Sequence, residues 1–211
     1  MSTDNHFPYR IYGAQQDNSS LRIHHRSFTS GSITQEDWEP TAGFESGHIV
    51  PDPLNDDIVY GGNYDGFIGR LNHKTGENNN ISVWPDANIG RGADSARYRF
   101  QWNFPLFFSP HEKKRLYAAA NVLFCTEDEG ISWKQISPDL TRDDKSKQKA
   151  SGGIITKDNT GVETYATIFA ACESPYEKDL LWCGSDDGLM HVSRDGGKTG
   201  AMSHRKICPN G

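Results

Sequence analysis

The chain has 211 residues, with 22 Lys and Arg against 28 Asp and Glu, for a formal net charge of −6. That balance argues against a nucleic-acid partner, which would want a basic face. Mean hydropathy is −0.72, no apolar run is long enough to span a bilayer, and Met1-Ser2-Thr3-Asp4-Asn5 does not read as a signal peptide.

In chain order, Ile11-Tyr12-Gly13-Ala14 is the first strand-like run, and residues 35–38 fit one helical turn. His48-Ile49-Val50-Pro51-Asp52-Pro53 reads as a short strand ending in a Pro-containing turn. Ile58-Val59-Tyr60-Gly61-Gly62 and Phe67-Ile68-Gly69-Arg70-Leu71 follow as two more strands. After a possible helical turn at residues 93–98, the same succession returns. It comprises Leu106-Phe107-Phe108-Ser109-Pro110, then residues 115–119, then Val122-Leu123-Phe124-Cys125. It returns again as Ile168-Phe169-Ala170-Ala171 before Ser174-Pro175, then residues 180–184, then Leu189-Met190-His191-Val192. The aromatic positions 12, 60, 117 and 182 are spaced 48, 57 and 65 residues apart. Repeats of about 40–50 residues with four strands each are propeller blades, and longer periods imply inserted loops.

The expectation is therefore an all-β, partial β-propeller of about three four-stranded blades plus part of another. It occupies residues 1–199, with a partial blade at 7–40 and blades at 44–90, 99–140 and 163–199. The mixed-charge run Arg142-Asp143-Asp144-Lys145-Ser146-Lys147-Gln148-Lys149 reads as a solvated loop between blades.

A short pattern occurs twice. Thr126-Glu127-Asp128-Glu129-Gly130-Ile131-Ser132-Trp133 is followed 67 residues later by Ser193-Arg194-Asp195-Gly196-Gly197-Lys198-Thr199. Both fit [S/T]-x-D-x-G-x-[S/T]. A hydroxyl and a carboxylate two residues apart can bond the main chain of a tight turn. Gly130 and Gly197 supply backbone angles that other residues resist, and Trp133 packs beneath the hairpin. Thr126, Asp128, Gly130, Trp133, Ser193, Asp195, Gly197 and Thr199 are read as structural.

Cys125, Cys172, Cys183 and Cys208 have neither C-x-x-C spacing nor a nearby His pair, so no zinc site is expected. Three small buried side chains in strands is the plain reading, although Cys172 and Cys183 could lie on neighbouring strands. No other metal and no cofactor are expected, since no phosphate loop or dinucleotide fingerprint is present.

These motifs carry a resemblance. The chain closely resembles bacterial Asp-box (BNR-repeat) β-propeller proteins of the glycosyl-hydrolase-like, sortilin-N-terminal (VPS10-like) type. The matching phrases are DNHFPYRIYGAQQDNS at 4–19, DWEPTAGFESGHIVPDPLNDDIVYGGN at 37–63 and RFQWNFPLFFSP at 99–110. SPDLTRDDKSK at 137–147 and GSDDGLMHVSRDGGKT at 184–199 complete the set. The resemblance implies a much longer exported parent, periplasmic, outer-surface or secreted, of which this chain is an internal slice. A more distant likeness is to xyloglucan-cleaving Asp-box glycosidases, with no catalytic carboxylate matched. The match ends at Thr199, where Trp is due and Gly200 stands. One T inserted after the Thr199 codon restores that Trp, because every Gly codon begins GG and TGG encodes Trp. Residues 200–211 are therefore expected to be an out-of-frame or disordered tail, an unusual native tail being the alternative.

Ligands of propellers meet loops at one face of the ring, where inner strands begin and second-to-third-strand turns return. The candidates there for a polar ligand are Gln15, Gln16, His48, Asn63, Tyr64, Trp102, Asn121 and Tyr165. Glu45 with Glu163, or Asp17 with Asp186, could supply the carboxylate pair that glycoside hydrolysis needs. Asp65-Gly66 and Asp187-Gly188 read as ordinary hairpin turns. Three functions follow as expectations. The first is a scaffold that binds polysaccharide or protein, completed by the parent's remaining blades. The second is a glycoside hydrolase fragment whose site other blades complete, and the third is a truncated product without function.

Overall fold

The structure is a computed structural model that describes residues 1–45, 47–152, 155 and 163–198, with the backbone of 203–204. The chain forms four antiparallel sheets in succession, each a propeller blade of four strands. The first contains β1 (Ser2–Thr3), β2 (Arg10–Ala14), β3 (Ser20–His24) and β4 (Trp38–Pro40). The second contains β5 (Ile49–Pro51), β6 (Ile58–Gly62), β7 (Ile68–Asn72) and β8 (Asn78–Asn80). The third contains β9 (Leu106–Phe108), β10 (Leu116–Ala119), β11 (Leu123–Thr126) and β12 (Lys134–Gln135). The fourth contains β13 (Ile168–Glu173), β14 (Leu181–Ser185), β15 (Met190–Ser193) and β16 (Ser203–His204).

The first blade thus has all four strands, where the sequence led us to expect part of a blade. Its β1 and β4 are too short and too polar to show a strand period. The expected helical turns are 3-10 turns at Gln35–Asp37 and Ala93–Ser95.

One device opens every blade. The residue after the inner strand is Asp4, Asp52, Ser109 or Ser174. Its N–H donates across the hairpin to Arg10, Ile58, Arg115 or Leu180, at 2.8–3.3 Å. Its side chain turns back on the following main chain. Asp52 Oδ1 accepts from Leu54 and Asn55, Ser109 Oγ from His111 and Glu112, and Ser174 Oγ from Tyr176 and Glu177. Short polar side chains favour such turns because they satisfy N–H groups that no strand reaches.

Successive side chains of a strand point to opposite faces. One face of each second strand carries Tyr12, Tyr60, Tyr117 or Trp182. The three tyrosines are 0–1% exposed beneath the next blade. Their hydroxyls donate to buried carboxylates: Tyr12 to Asp4 at 2.9 Å, Tyr60 to Asp52 at 3.4 Å, and Tyr117 to Glu173 at 3.2 Å. Three core clusters join consecutive blades. Tyr12, Ile49 and Val59 join the first to the second, Tyr60, Leu106 and Phe124 the second to the third, and Tyr117, Leu123, Ile168 and Leu181 the third to the fourth. Among the described residues no such cluster joins the fourth blade to the first.

The repeated polar turn adopts the geometry its residues imply. Thr126 Oγ1 donates to Asp128 Oδ1 at 2.7 Å and accepts from Gly130 N at 3.1 Å. Asp128 also accepts from Ser132 N at 2.9 Å and Ser132 Oγ at 2.6 Å. Those bonds, the Ser132 hydroxyl first, pull its carboxyl down to about 2. Gly130 has φ +86° and a Cβ there would lie 2.5 Å from Ile81. In the second copy, Ser193 Oγ donates to Asp195 Oδ1 at 2.8 Å and accepts from Gly197 N at 3.0 Å. Thr199 and the proposed tail beyond it, apart from the backbone of 203–204, lie outside the described residues.

Cys172 and Cys183 do sit on neighbouring strands, but Cys172 pairs with Trp182 and Cys183 with Ala171. One step of register puts them on opposite faces. Cys172 is exposed, Cys125 half-buried and Cys183 buried, and all three are free thiols, which corrects the expectation of uniformly buried cysteines.

Candidate functional site

Residues 41–45 and 47–48, ahead of β5, lie directly on β6, which is possible because the strand ends in two glycines. A Cβ on Gly61 would lie 2.3 Å from Gly43 N and 2.4 Å from the Ala42 carbonyl carbon. Phe44 N donates to Gly62 O at 3.3 Å. This close approach brings Phe44 edge-on to Tyr64, with ring centroids 5.9 Å apart. Tyr64, in the β6–β7 turn, lies 5.8 Å from Trp102, in the segment entering the third blade. Phe44 is exposed, while Tyr64 and Trp102 are half-buried. The three rings form one row across the second and third blades.

Two polar groups, one on a ring of this row and one next to Tyr64 in sequence, lack partners. Trp102 Nε1 is buried without an acceptor, and Asp65 Oδ1, beside Tyr64 in sequence, is buried without a donor. Asp65 is 6% exposed and holds φ +56°, a left-handed conformation that Asp tolerates better than most residues. Burial pushes its carboxyl pKa up, opposed by a hydrogen bond from the Asn88 main chain. Asn88 Oδ1 is also buried without a partner. Buried polar groups are normally paired, so three orphans ask for a reason. Sequence reasoning passed over Asp65 as a turn residue. A D-G pair is common in turns, and nothing local in the sequence marks this one as buried; the ring of Phe100 fills the space where a Cβ on the following Gly66 would lie, at 2.5 Å.

The other candidates divide. Glu45 is 9% exposed and accepts from the main-chain N of Asp17, bracing the first blade's turn. Asp186 accepts from Thr167 N at 3.0 Å and Thr167 Oγ1 at 3.2 Å, closing the fourth blade's turn onto its inner strand. Burial raises the Asp186 pKa. Asn121 accepts from Arg99 N at 3.0 Å and donates to Asp139 at 2.8 Å. Arg99, 4% exposed, also donates to Ala166 O and Thr141, and pairs with Asp139 and Asp143. It fastens the third blade to the entry of the fourth, and Asn121 belongs to that fastening.

Asn63 Oδ1 accepts from Tyr64 N at 2.7 Å and holds the turn that presents Tyr64. Gln15, Gln16 and Asp17 are exposed in the first blade's turn, and His48 is exposed just before β5. Glu163 is exposed, and Tyr165 lies beneath Lys147 Nζ, 5.6 Å from its ring centroid. Among the described residues no group of three His, Cys, Asp or Glu could hold a metal ion, and no helix is long and apolar enough to cross a membrane.

No family model and no curated relative matches the chain. Among solved structures it is similar to a GH74 xyloglucanase from Xanthomonas campestris, with a TM-score of 0.50 and 15% identity over 90% of this chain. The aligned part is 26% of that protein's chain, so this chain spans about a quarter of its length. At that identity the likeness establishes the fold: this chain is a run of four propeller blades similar to those of that enzyme.

Proposed function

We propose that the chain is part of an exported Asp-box propeller protein and binds carbohydrate through the Phe44–Tyr64–Trp102 row. The observation that carries this is the row of three adjacent rings across two blades, with Phe44 exposed and Tyr64 and Trp102 half-buried. A sugar ring has apolar C–H faces that stack on aromatic side chains and hydroxyls that bond one donor and one acceptor at once. The neighbour named a xyloglucanase makes a polysaccharide the ligand class to test first.

Calorimetry and a glycan array on the full chain, with xyloglucan oligosaccharides included, test the proposal. Binding that weakens at least tenfold in Trp102→Ala supports it. No binding to any glycan, or binding indifferent to Trp102 and Tyr64, overturns it. A second reading, part of a glycoside hydrolase, draws on the buried carboxyl of Asp65, whose pKa burial raises, next in sequence to Tyr64 of the row. Release of reducing sugar that Asp65→Asn abolishes while binding persists would favour it.

A further inference from the structure

We infer that Tyr165 is a further subsite of the aromatic row, so that the site takes an extended stretch of a polysaccharide, from Phe44 past Trp102 to Tyr165, rather than a single sugar. This rests on the reading of the row as a glycan site and adds a ring to it. The repeat itself supplies the placement. Phe44, Trp102 and Tyr165 each lie in the segment that enters an inner strand, ahead of β5, β9 and β13. Equivalent segments of successive blades follow one another around the same end of a propeller's central channel. The second, third and fourth blades each contribute one ring at this position, and Tyr64 stands between the first two.

The segment that carries Tyr165 is tied down on both sides of the ring. Gln101 Oε1 accepts from Trp102 N at 2.8 Å, and Gln101 Nε2 donates to Thr164 O at 3.4 Å, so one side chain spans the entries of the third and fourth blades. Arg99 Nε donates to Ala166 O at 3.0 Å, and Asp186 Oδ1 accepts from Thr167 N at 3.0 Å. Between these ties Ala166 is wholly buried and holds φ +62°. Among the described residues it is the one non-glycine at positive φ without a polar side chain. Asp and Asn gain local hydrogen bonds in that left-handed conformation, and alanine gains none. Such strain persists only where the surroundings over-determine it, and it clusters at ligand sites. Here the strained residue directly follows Tyr165, whose half-buried ring has Lys147 Nζ 5.6 Å from its centroid. A ring fixed in advance loses little freedom on binding, which is the preorganisation a stacking subsite needs.

Calorimetry on the full chain, with xyloglucan oligosaccharides graded in backbone length from two sugars upward, is the test. Affinity of the parent should rise at least tenfold from the shortest probe to the longest. Tyr165→Leu keeps apolar bulk and loses the flat ring. It should melt as the parent does, bind the longest probe at least tenfold more weakly and gain little from added length. Tyr165→Phe keeps the ring and should bind like the parent, whereas Trp102→Ala should weaken binding at every length. A Tyr165→Leu protein that gains from length as the parent does overturns the inference and leaves the three-ring row standing. A parent that binds short and long probes equally well also overturns it. If the parent binds no probe of any length, the row and its extension fall together.

Discussion

The indole Nε1 of Trp133 donates to the carbonyl of Ile81 at 2.7 Å, across 52 residues of chain. The polar turn of the third blade is thereby tied to the segment that follows the outer strand of the second. Gly130 packs against the same Ile81, so one hairpin both closes its own blade and locks it to its neighbour.

Trp133→Phe keeps most of the packing and removes this bond, and should cost about 0.5–1.5 kcal/mol. Gly130→Ala forces a side chain into left-handed backbone against Ile81 and should cost about 1–3 kcal/mol. Urea titrations of both variants measure these values. Glycan affinity should not change in either, and a selective loss of affinity without loss of stability would show that the turn is part of the binding face.

The pH dependence has two opposite contributions. The depressed pKa of Asp128 gives stability that is present above the unfolded carboxylate value of 3.8 and is lost as pH falls toward about 2. The raised pKa of Asp65 works the other way. Its neutral form is tolerated at low pH, and its ionisation costs stability as pH rises above 3.8. Asp65→Asn keeps a residue tolerant of positive φ and removes that ionisation. The variant should melt higher than the parent at pH 7, with the gap closing below about pH 4. Equal melting curves at both pH values would show that the Asp65 carboxylate carries no such strain.

Arg99→Met should be among the most damaging single changes. It removes one ion-pair partner each from Asp139 and Asp143, which keep Asn121 and Lys145, and leaves the Ala166 carbonyl without its donor. The expected loss is about 2–4 kcal/mol, below that for a fully buried pair because both carboxylates stay partly exposed. Hydrogen exchange should place the loosening between the third and fourth blades, with β5 to β8 unaffected. Uniform loosening would mean that Arg99 supports the whole arc.

Gly61→Ala should cost about 1–3 kcal/mol by pushing residues 42–44 off β6. Because that segment carries Phe44, glycan affinity should fall with it even though residue 61 touches no ligand. An unchanged affinity in a folded variant would remove Phe44 from the proposed row.

The sequence by itself determined the repeat of blades, though of the first blade it showed only a part. Residues 58–62, 115–119 and 180–184 are one short apolar run repeated, and the second-strand aromatics at 12, 60, 117 and 182 mark one structural position. Period and turn chemistry are local, so they survive in one dimension. The polar turns at 126 and 193 were legible for the same reason. The tertiary structure decided which polar residues are free to meet a ligand. Glu45 is used by Asp17, 28 residues away, Asn121 joins Arg99, 22 away, and Asp186 serves Thr167, 19 away. No local pattern encodes such pairings, because they depend on how one loop or blade settles beside another. The same packing buries Asp65 and Trp102 Nε1 without partners and leaves Trp182 bare where three tyrosines are covered. Burial is a property of neighbours, and here the neighbours are set by the arc of blades.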